Sequence, residues 1–234
     1  MISIKHPFSK RMNTEPLGQQ IKEGLRWVYQ HPYLRTLALN THLWFLFHSM
    51  TMTILTSFYL IDLSLNATLL GYILSASGVG AVVGTSLSHI VGTRFGVGRG
   101  ITFSRILYAP AVMLTALAST VNHSESQFTV LLYVIVGQFV YGFAMGIEGP
   151  LEMGYRQYVT PPHLQGRMNA TLRSINRSAV VIGAPLGGGL AEHLGFTTAV
   201  WIPLVGLAIC GLWFSLSSIR KVHLEDDKIN LDPP

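Results

Sequence analysis

Two glutamates and two arginines interrupt apolar parts of this sequence at the spacing of one helical turn. Glu148 and Glu152 are four residues apart, as are Arg173 and Arg177, so each pair occupies one face of a helix. Charged side chains are costly within apolar helices unless they pair with one another. The pattern predicts a charge cluster between two helices. Its role is either that of a structural latch at one end of a bundle or that of a proton-transfer site.

A histidine lies near the middle of the first apolar stretch. His48 shares a helical face with Trp44, Phe45 and Met52. Because imidazole exchanges protons near neutral pH, His48 is a candidate proton carrier, and Trp44 beside it is a candidate for the substrate pathway. The alternative for His48 is a packing residue held by hydrogen bonds. His42, nearer the inner end of the stretch, is expected to be structural or interfacial.

A second stripe of polar and aromatic residues lies in the fourth apolar stretch. Gln138, Tyr141 and Met145 follow helical spacing and share one face. Such groups suit an amphipathic organic substrate when they face a central cavity. An ordinary packed interface uses the same residue types, so the stripe predicts either a substrate site or a helix contact.

Other chemistries have no support in the sequence. It has no clustered metal ligands, no phosphate-binding loop and no nucleophile and histidine arranged as in a membrane protease. The single cysteine, Cys210, cannot form an internal disulfide. We therefore expect no enzymatic activity, catalytic residue, metal or cofactor. The formal net charge of +5 fits loops that face anionic lipid, and we expect no nucleic-acid partner.

Six apolar stretches provide the elements that must position these residues. Each is about 17–25 residues long, close to the ~20 residues that cross the ~30 Å of a bilayer's hydrocarbon core. The stretches are Thr36–Leu60, Leu69–Val91, Ile101–Ala118, Phe128–Ile147, Ser178–Leu194 and Ala199–Leu216. Charged residues make up only 12% of the chain and the mean hydropathy is +0.41, as is typical of membrane proteins.

Positive charges divide the connections between these stretches into two classes. All 16 Lys and Arg residues fall in or beside the N-terminal segment, the second and fourth connections and the C-terminal tail. Because cytoplasmic segments retain Lys and Arg, the alternation predicts six transmembrane helices with both ends cytoplasmic. The predicted divisions are a cytoplasmic segment at 1–35, a six-helix transmembrane domain at 36–218 and a cytoplasmic tail at 219–234. Arg105, at the start of the third stretch, is expected to extend to the inner membrane surface.

An amphipathic helix is predicted before the first stretch. Ile21, Leu25 and Val28 share one of its faces. Pro16 suits its first turn and Pro32 would end it. We expect this helix to lie on the inner membrane surface, and the alternative is a solvated linker.

Glycines four residues apart occur as pairs in three of the apolar stretches. The pairs are Gly80 and Gly84, Gly142 and Gly146, and Gly183 and Gly187. Small residues at this spacing let membrane helices approach closely, so the pairs predict a tightly packed bundle.

Three passages, in their order along the chain, carry a family resemblance. Residues 23–32 (Glu-Gly-Leu-Arg-Trp-Val-Tyr-Gln-His-Pro), 92–99 (Gly-Thr-Arg-Phe-Gly-Val-Gly-Arg) and 156–170 each match a segment of known transporters. They resemble, respectively, a central cytoplasmic helix, a degenerate loop motif, and the loop between the tenth and eleventh helices. The chain is thus similar to the C-terminal half of a major facilitator superfamily transporter, in the bacterial efflux branch that includes the enterobactin exporters.

The resemblance assigns a loop motif to the second connection. Its residues are Gly92, Arg94, Gly96 and Arg99. Thr93 stands where the family motif has an acid, so this chain departs from the pattern there.

The resemblance also implies a fold and a function. It implies an all-α membrane protein that forms half of a twelve-helix fold, built from two inverted three-helix repeats, with substrate bound between the halves. The implied activity is proton-coupled efflux of a small organic molecule by a multi-pass protein of the plasma (inner) membrane. Expected partners are the lipid bilayer, the substrate, and either a separate N-terminal half or a second copy of the chain. The alternative is a truncated remnant or a membrane interaction subunit that does not transport.

Overall fold

Regular structure in this protein is entirely helical where the computed structural model describes it, at residues 16–118 and 127–222. The α-helices in these ranges are α1 (Leu17–Gln30), α2 (Pro32–Ser57), α3 (Ala67–Phe95), α4 (Val97–Leu117), α5 (Gln127–Val159), α6 (Pro162–Leu194), α7 (Phe196–Ala199) and α8 (Trp201–Leu216). A π-helical turn, Phe58–Asp62, extends α2. The predicted all-α class is confirmed. Parts of the predicted N-terminal segment and tail, and of the third connection, lie outside the described residues.

Within the residues that the structure describes, five helical segments are long and apolar enough to cross a membrane. They are Pro32–Asp62, Ala67–Phe95, Val97–Leu117, Gln127–Val159 and Phe196–Leu216. These segments correspond to five of the six predicted apolar stretches. The remaining stretch, Ser178–Leu194, is the second half of α6. The first half of α6 carries three arginines, Arg167, Arg173 and Arg177, and is therefore less apolar than the second half.

Short junctions connect several of these helices, and each depends on a suitable residue. Gly96, between α3 and α4, has φ +92°, and Gly195, between α6 and α7, has φ +75°, conformations that glycine adopts without strain. Asn66 caps α3, because its Oδ1 accepts a hydrogen bond from the Leu69 N–H at 2.9 Å. These junctions leave the helices they connect as immediate neighbours in the chain, with little intervening loop.

Two of the predicted glycine pairs face each other across α3 and α5. Gly80 and Gly84 of α3 lie against the α5 backbone, and Gly142 and Gly146 of α5 lie against the α3 backbone. A Cβ atom on Gly80 would overlap the carbonyl oxygen of Phe139. The backbones of α3 and α5 are therefore in direct contact, as the glycine spacing predicts.

The third glycine pair joins α6 to α2. Gly183 lies against the Leu46 carbonyl and the Ser49 hydroxyl, and Gly187 lies against the backbone of Met50. Because the contacts on both helices advance in the same direction along the chain, α2 and α6 are parallel. The second half of α6 is thus an integral part of the bundle.

The helices pack in a pattern that repeats between the two halves of the described chain. In the triplet α2–α3–α4, the second helix packs against the first helix of the triplet α5–α6–α8. Reciprocally, α6 packs against α2, while α4 contacts both α5 and α8. The second helix of each triplet therefore packs closely against the first helix of the other triplet, giving the pairs α3–α5 and α6–α2.

The predicted N-terminal helix is present as α1, and it packs against the protein. Val28 is fully buried in a cluster with Met168 and Leu172 of α6, whereas Ile21 is 55% exposed. Glu23 forms an ion pair with Arg167. Part of the predicted apolar face thus contacts α6, and placement of the rest on the membrane surface stays a prediction.

The α3–α5 contact can be tested with two glycines on the same helix. We expect Gly80→Ala to lower the free energy of unfolding by about 1–3 kcal/mol, because the methyl group forces the two backbones apart. Gly78→Ala is the matched control, since a Cβ there meets nothing within 4 Å. It should be neutral or slightly stabilising. Unfolding of both variants in detergent measures the difference, and equal midpoints would contradict the contact.

Candidate functional site

A cavity of about 510 Å³ lies between α2, α5 and α6, with one side chain contributed by α4. Several residues singled out in the sequence line it. They are Trp44, His48, Met145, Glu148, Glu152, Arg173 and Arg177. The remaining lining includes Phe45, Tyr108 and Asn176. The cavity thus combines aromatic and charged surfaces, and this combination suits an amphipathic organic ligand.

A buried ion cluster forms one wall of the cavity, and its central cation is Arg105. The Arg105 side chain lies 2.5 Å from Glu148 and 3.2 Å from Glu152, measured from Nη2 to carboxylate oxygens. The same Nη2 donates a hydrogen bond to Thr41 Oγ1 at 2.9 Å. The expectation that Arg105 extends to the membrane surface is wrong. Arg105 is only 1% exposed, because leaving the cluster would strand two buried carboxylates.

The second cation of the cluster is Arg156, one helical turn after Glu152 on α5, and the two form an ion pair. Arg173 and Arg177, predicted to supply the cations, are exposed side chains on the α6 wall of the same cavity. Among the described ion pairs, neither of them reaches Glu148 or Glu152. The cluster therefore has both predicted acids but takes its cations from α4 and α5.

His48 lies in an aromatic layer beside this cluster. Its Nδ1 shares a hydrogen bond with the Tyr141 hydroxyl at 2.6 Å, and its ring stacks on Trp44 with 4.6 Å between centroids. The Tyr141 ring packs against Tyr108 at 4.8 Å. Tyr108 in turn donates a hydrogen bond to Glu148 Oε2 at 2.6 Å. Two hydrogen-bonded pairs, one with the histidine and one with the acid, thus meet where the tyrosine rings touch.

The predicted stripe of Gln138, Tyr141 and Met145 separates into different environments. Gln138 is buried and its Nε2 donates a hydrogen bond to the Tyr59 hydroxyl at 2.9 Å, away from the cavity. Tyr141 holds His48, and Met145 lines the cavity. The three residues share one face of α5, as helical spacing predicts. One part of that face is buried in a packed interface, at Gln138, and another part lines the cavity, at Met145.

His42 forms hydrogen bonds to two other helices. Its Nδ1–H donates to Asn176 Oδ1 at 2.5 Å, and its Nε2 accepts from the Tyr29 hydroxyl at 2.9 Å. This histidine therefore joins α1, α2 and α6 near the charged end of the cavity.

The loop-motif residues lie at the α3–α4 junction and do not line the cavity. The positive φ of Gly96 makes the turn, and its N–H donates to the Gly92 carbonyl at 3.1 Å. Arg94 and Arg99 are exposed. The motif thus shapes a connection between helices.

Tyr108 and Tyr59 make contacts that the sequence did not predict, and Arg105 is buried where exposure at the membrane surface was expected. Arg105 and Tyr108 are three residues apart on one face of α4, and both contact Glu148. This three-residue spacing is the feature of the sequence that could have predicted a shared partner for Arg105 and Tyr108. Within residues 16–118 and 127–222, no group of three or more His, Cys, Asp or Glu side chains is arranged to hold a metal ion.

The Arg105 cluster generates a stability prediction. Arg105→Gln should lower the free energy of unfolding by about 3–5 kcal/mol, because it leaves two buried acids without their shared cation. Adding Glu148→Gln should recover part of that loss, whereas Glu148→Gln and Arg173→Gln should be additive. Arg99→Gln, at an exposed arginine on the same helix, is the control. Detergent unfolding of the full mutant cycle provides the measurement, and additivity for Arg105 with Glu148 would contradict the pairing.

Comparison with known proteins assigns the sequence to a family. The sequence pattern of the Major Facilitator Superfamily matches residues 37–229. The chain is 27% identical over 214 residues to the multidrug efflux pump Tap of Mycolicibacterium fortuitum, covering 90% of this chain and 49% of that protein. It is 24% identical over 192 residues to the uncharacterized MFS-type transporter YbcL of Bacillus subtilis (strain 168), covering 80% and 46% respectively. No solved structure matches it.

The chain spans about half the length of these relatives. The family match, in contrast, includes most of α2, the whole of α3 to α8 and every residue of the cavity wall described above. The chain therefore belongs to the Major Facilitator Superfamily of multi-pass membrane transport proteins.

Proposed function

We propose that this chain forms the C-terminal half of a secondary transporter that exports a small organic molecule and is driven by a proton gradient. The observation that carries the proposal is the cavity between α2, α5 and α6, with its aromatic layer beside a buried ion cluster. Family membership supports transport, and similarity to a multidrug efflux pump supports efflux. The sequence resemblance at residues 23–32 and 156–170 supports assignment to the C-terminal half.

The proposed architecture has six transmembrane helices in two inverted repeats, α2–α3–α4 and α5–α6–α8. The reciprocal packing of α3 on α5 and of α6 on α2 supports the repeats. The 33-residue length of α6 and its glycine contacts with α2 support counting it as a sixth span. In this arrangement 1–35 and 219–234 are cytoplasmic and 36–218 is the membrane domain. An N-terminal half, or a second copy of the chain, completes the cavity.

The proposed orientation can be tested by labelling cysteines in intact cells. In a Cys210→Ser background, Thr68→Cys at the start of α3 should react with an impermeant thiol reagent, because the first connection is proposed to be outside. Gly166→Cys, in the first turns of α6, should react only after the cells are permeabilised. Both positions are exposed, so burial does not block either reaction. Labelling of 166 without 68 in intact cells would reverse the topology.

Proton coupling is proposed to involve His48 and Glu148, one at each end of the paired tyrosines. His48 lines the cavity and shares its hydrogen bond with Tyr141, while Tyr108 bonds Glu148. Ionisable groups within a membrane domain are retained for functional reasons, and both groups here can hold a proton beside the substrate cavity. Movement of a proton on or off this set changes the charge balance around Arg105.

His48→Gln should retain folding and ligand binding but remove the dependence of transport on the pH gradient, because glutamine keeps a hydrogen bond to Tyr141 and cannot carry a proton. His89→Gln, at an exposed histidine of α3, is the matched control. Uptake of fluorescent organic compounds into everted membrane vesicles provides the measurement, for the chain alone and for the chain fused to the N-terminal half of Tap. Unchanged pH dependence would exclude His48 as carrier. Absence of gradient-driven uptake in both arrangements would favour a membrane subunit that does not transport.

A further inference from the structure

The charges around the cavity do not cancel. The negative charges of Glu148 and Glu152 are matched by Arg105 and Arg156, each of which contacts at least one of these acids. Arg173 and Arg177 remain on the α6 wall, and both are exposed. Within residues 16–118 and 127–222, no ion pair is found for either. The cavity therefore has two positive charges more than its wall neutralises.

The two arginines are arranged to act on one ligand. They are one helical turn apart, which places their Cα atoms about 6 Å apart along α6. Both guanidinium groups present planar sets of N–H donors that match carboxylate, sulfonate or phosphate oxygens. Their exposed positions in the cavity leave these donors accessible to a bound molecule.

The other end of the cavity is aromatic. The hydrogen bond between Asn176 and His42 puts Arg177 at the level of His42 on α2. Trp44 lies two residues further along α2, a rise of about 3 Å, and His48 lies six residues further, a rise of about 9 Å. The rings of Trp44 and His48 are stacked. Phe45 meets Trp44 edge to face at 5.0 Å between centroids, and both line the cavity. A ligand that spans this distance meets positive charge at one end and aromatic rings at the other.

We propose that the cavity binds an organic anion that carries an aromatic ring. Arg173 and Arg177 bind its anionic group, and Trp44 and Phe45 contact its ring. This inference rests on the proposed function in taking the cavity as the substrate site, and it names the substrate class of that site. A neutral or cationic ring compound would leave both arginines without a counter-charge and would bind more weakly.

The test compares three ligands that share one ring system and differ in charge. They are 2-naphthoate, 2-naphthylmethanol and 2-naphthylmethylammonium, titrated by ligand-observed NMR in phosphatidylcholine nanodiscs against the full chain alone and against the chain fused to the N-terminal half of Tap. We expect the anion to bind about tenfold or more tightly than the neutral compound, and the cation to bind least tightly. Equal affinity for anion and neutral compound, or no binding of the anion in either arrangement, would overturn the proposal.

Matched variants assign the preference to these arginines. Arg173→Gln with Arg177→Gln should reduce the anion's affinity to that of the neutral compound, whereas the double lysine variant should keep a preference for the anion. Arg26→Gln with Arg35→Gln is the control, because it removes the same charge at exposed residues that do not line the cavity. An anion preference that survives the glutamine pair would contradict the assignment.

Two further arms distinguish a substrate from a lipid headgroup, and binding from transport. Phosphatidylglycerol added to the nanodiscs should leave naphthoate binding unchanged, and loss of binding would assign the arginines to lipid headgroups and reject the proposal. The vesicle assay is run with the same three compounds. Gradient-driven transport of the neutral or cationic compound alone would retain the proposed function and reject this inference. Arginine-dependent binding of the anion without transport of any of the three compounds would support this inference and reject the proposed function.

Discussion

A guanidinium group buried among apolar helices must keep carboxylates within reach, and this requirement at Arg105 organises the protein. Arg105 comes from α4, its two acids from α5 and its third partner, Thr41, from α2. Three helices therefore meet at one side chain that is 1% exposed. Since a lone buried charge costs several kcal/mol, alternative registers of these helices are strongly disfavoured. The neighbouring aromatic layer is attached to the same cluster, because the Tyr108 hydroxyl donates a hydrogen bond to Glu148.

Close glycine contacts determine where open space remains. The α3–α5 and α2–α6 pairs are packed backbone to backbone, so there is no space for a ligand within either pair. The cavity lies instead between the pairs, where α2, α5 and α6 face one another with large side chains. Small residues thus close the helix pairs, and long charged and aromatic residues form the wall. In this way one sequence specifies both tight packing and a cavity.

Much of this arrangement follows from sequence, because hydropathy and glycine spacing act locally along a helix. Five spans, the start of α1 near Pro16 and the glycine contacts were all predictable. The cations of the buried cluster were not. Helical spacing places Glu148 and Glu152 on one face, but the helix that faces them depends on tertiary packing. An arginine near the predicted end of a span, such as Arg105, can either extend to the membrane surface or pair with buried carboxylates. Which of the two occurs depends on the helices packed around it.

Helix α1 packs alongside α6 and is attached to it at three points. Glu23 pairs with Arg167, Val28 packs on Met168, and Tyr29 reaches Asn176 through His42. These attachments cover more than two turns of α6 on the side next to Arg173 and Arg177. Because His42 belongs to α2, α1 contacts both helices of the glycine-packed pair, and a rotation of α6 relative to α2 must change at least one of these contacts. A displacement of α1 is therefore transmitted to the charged end of the cavity, where Asn176 lies beside Arg177.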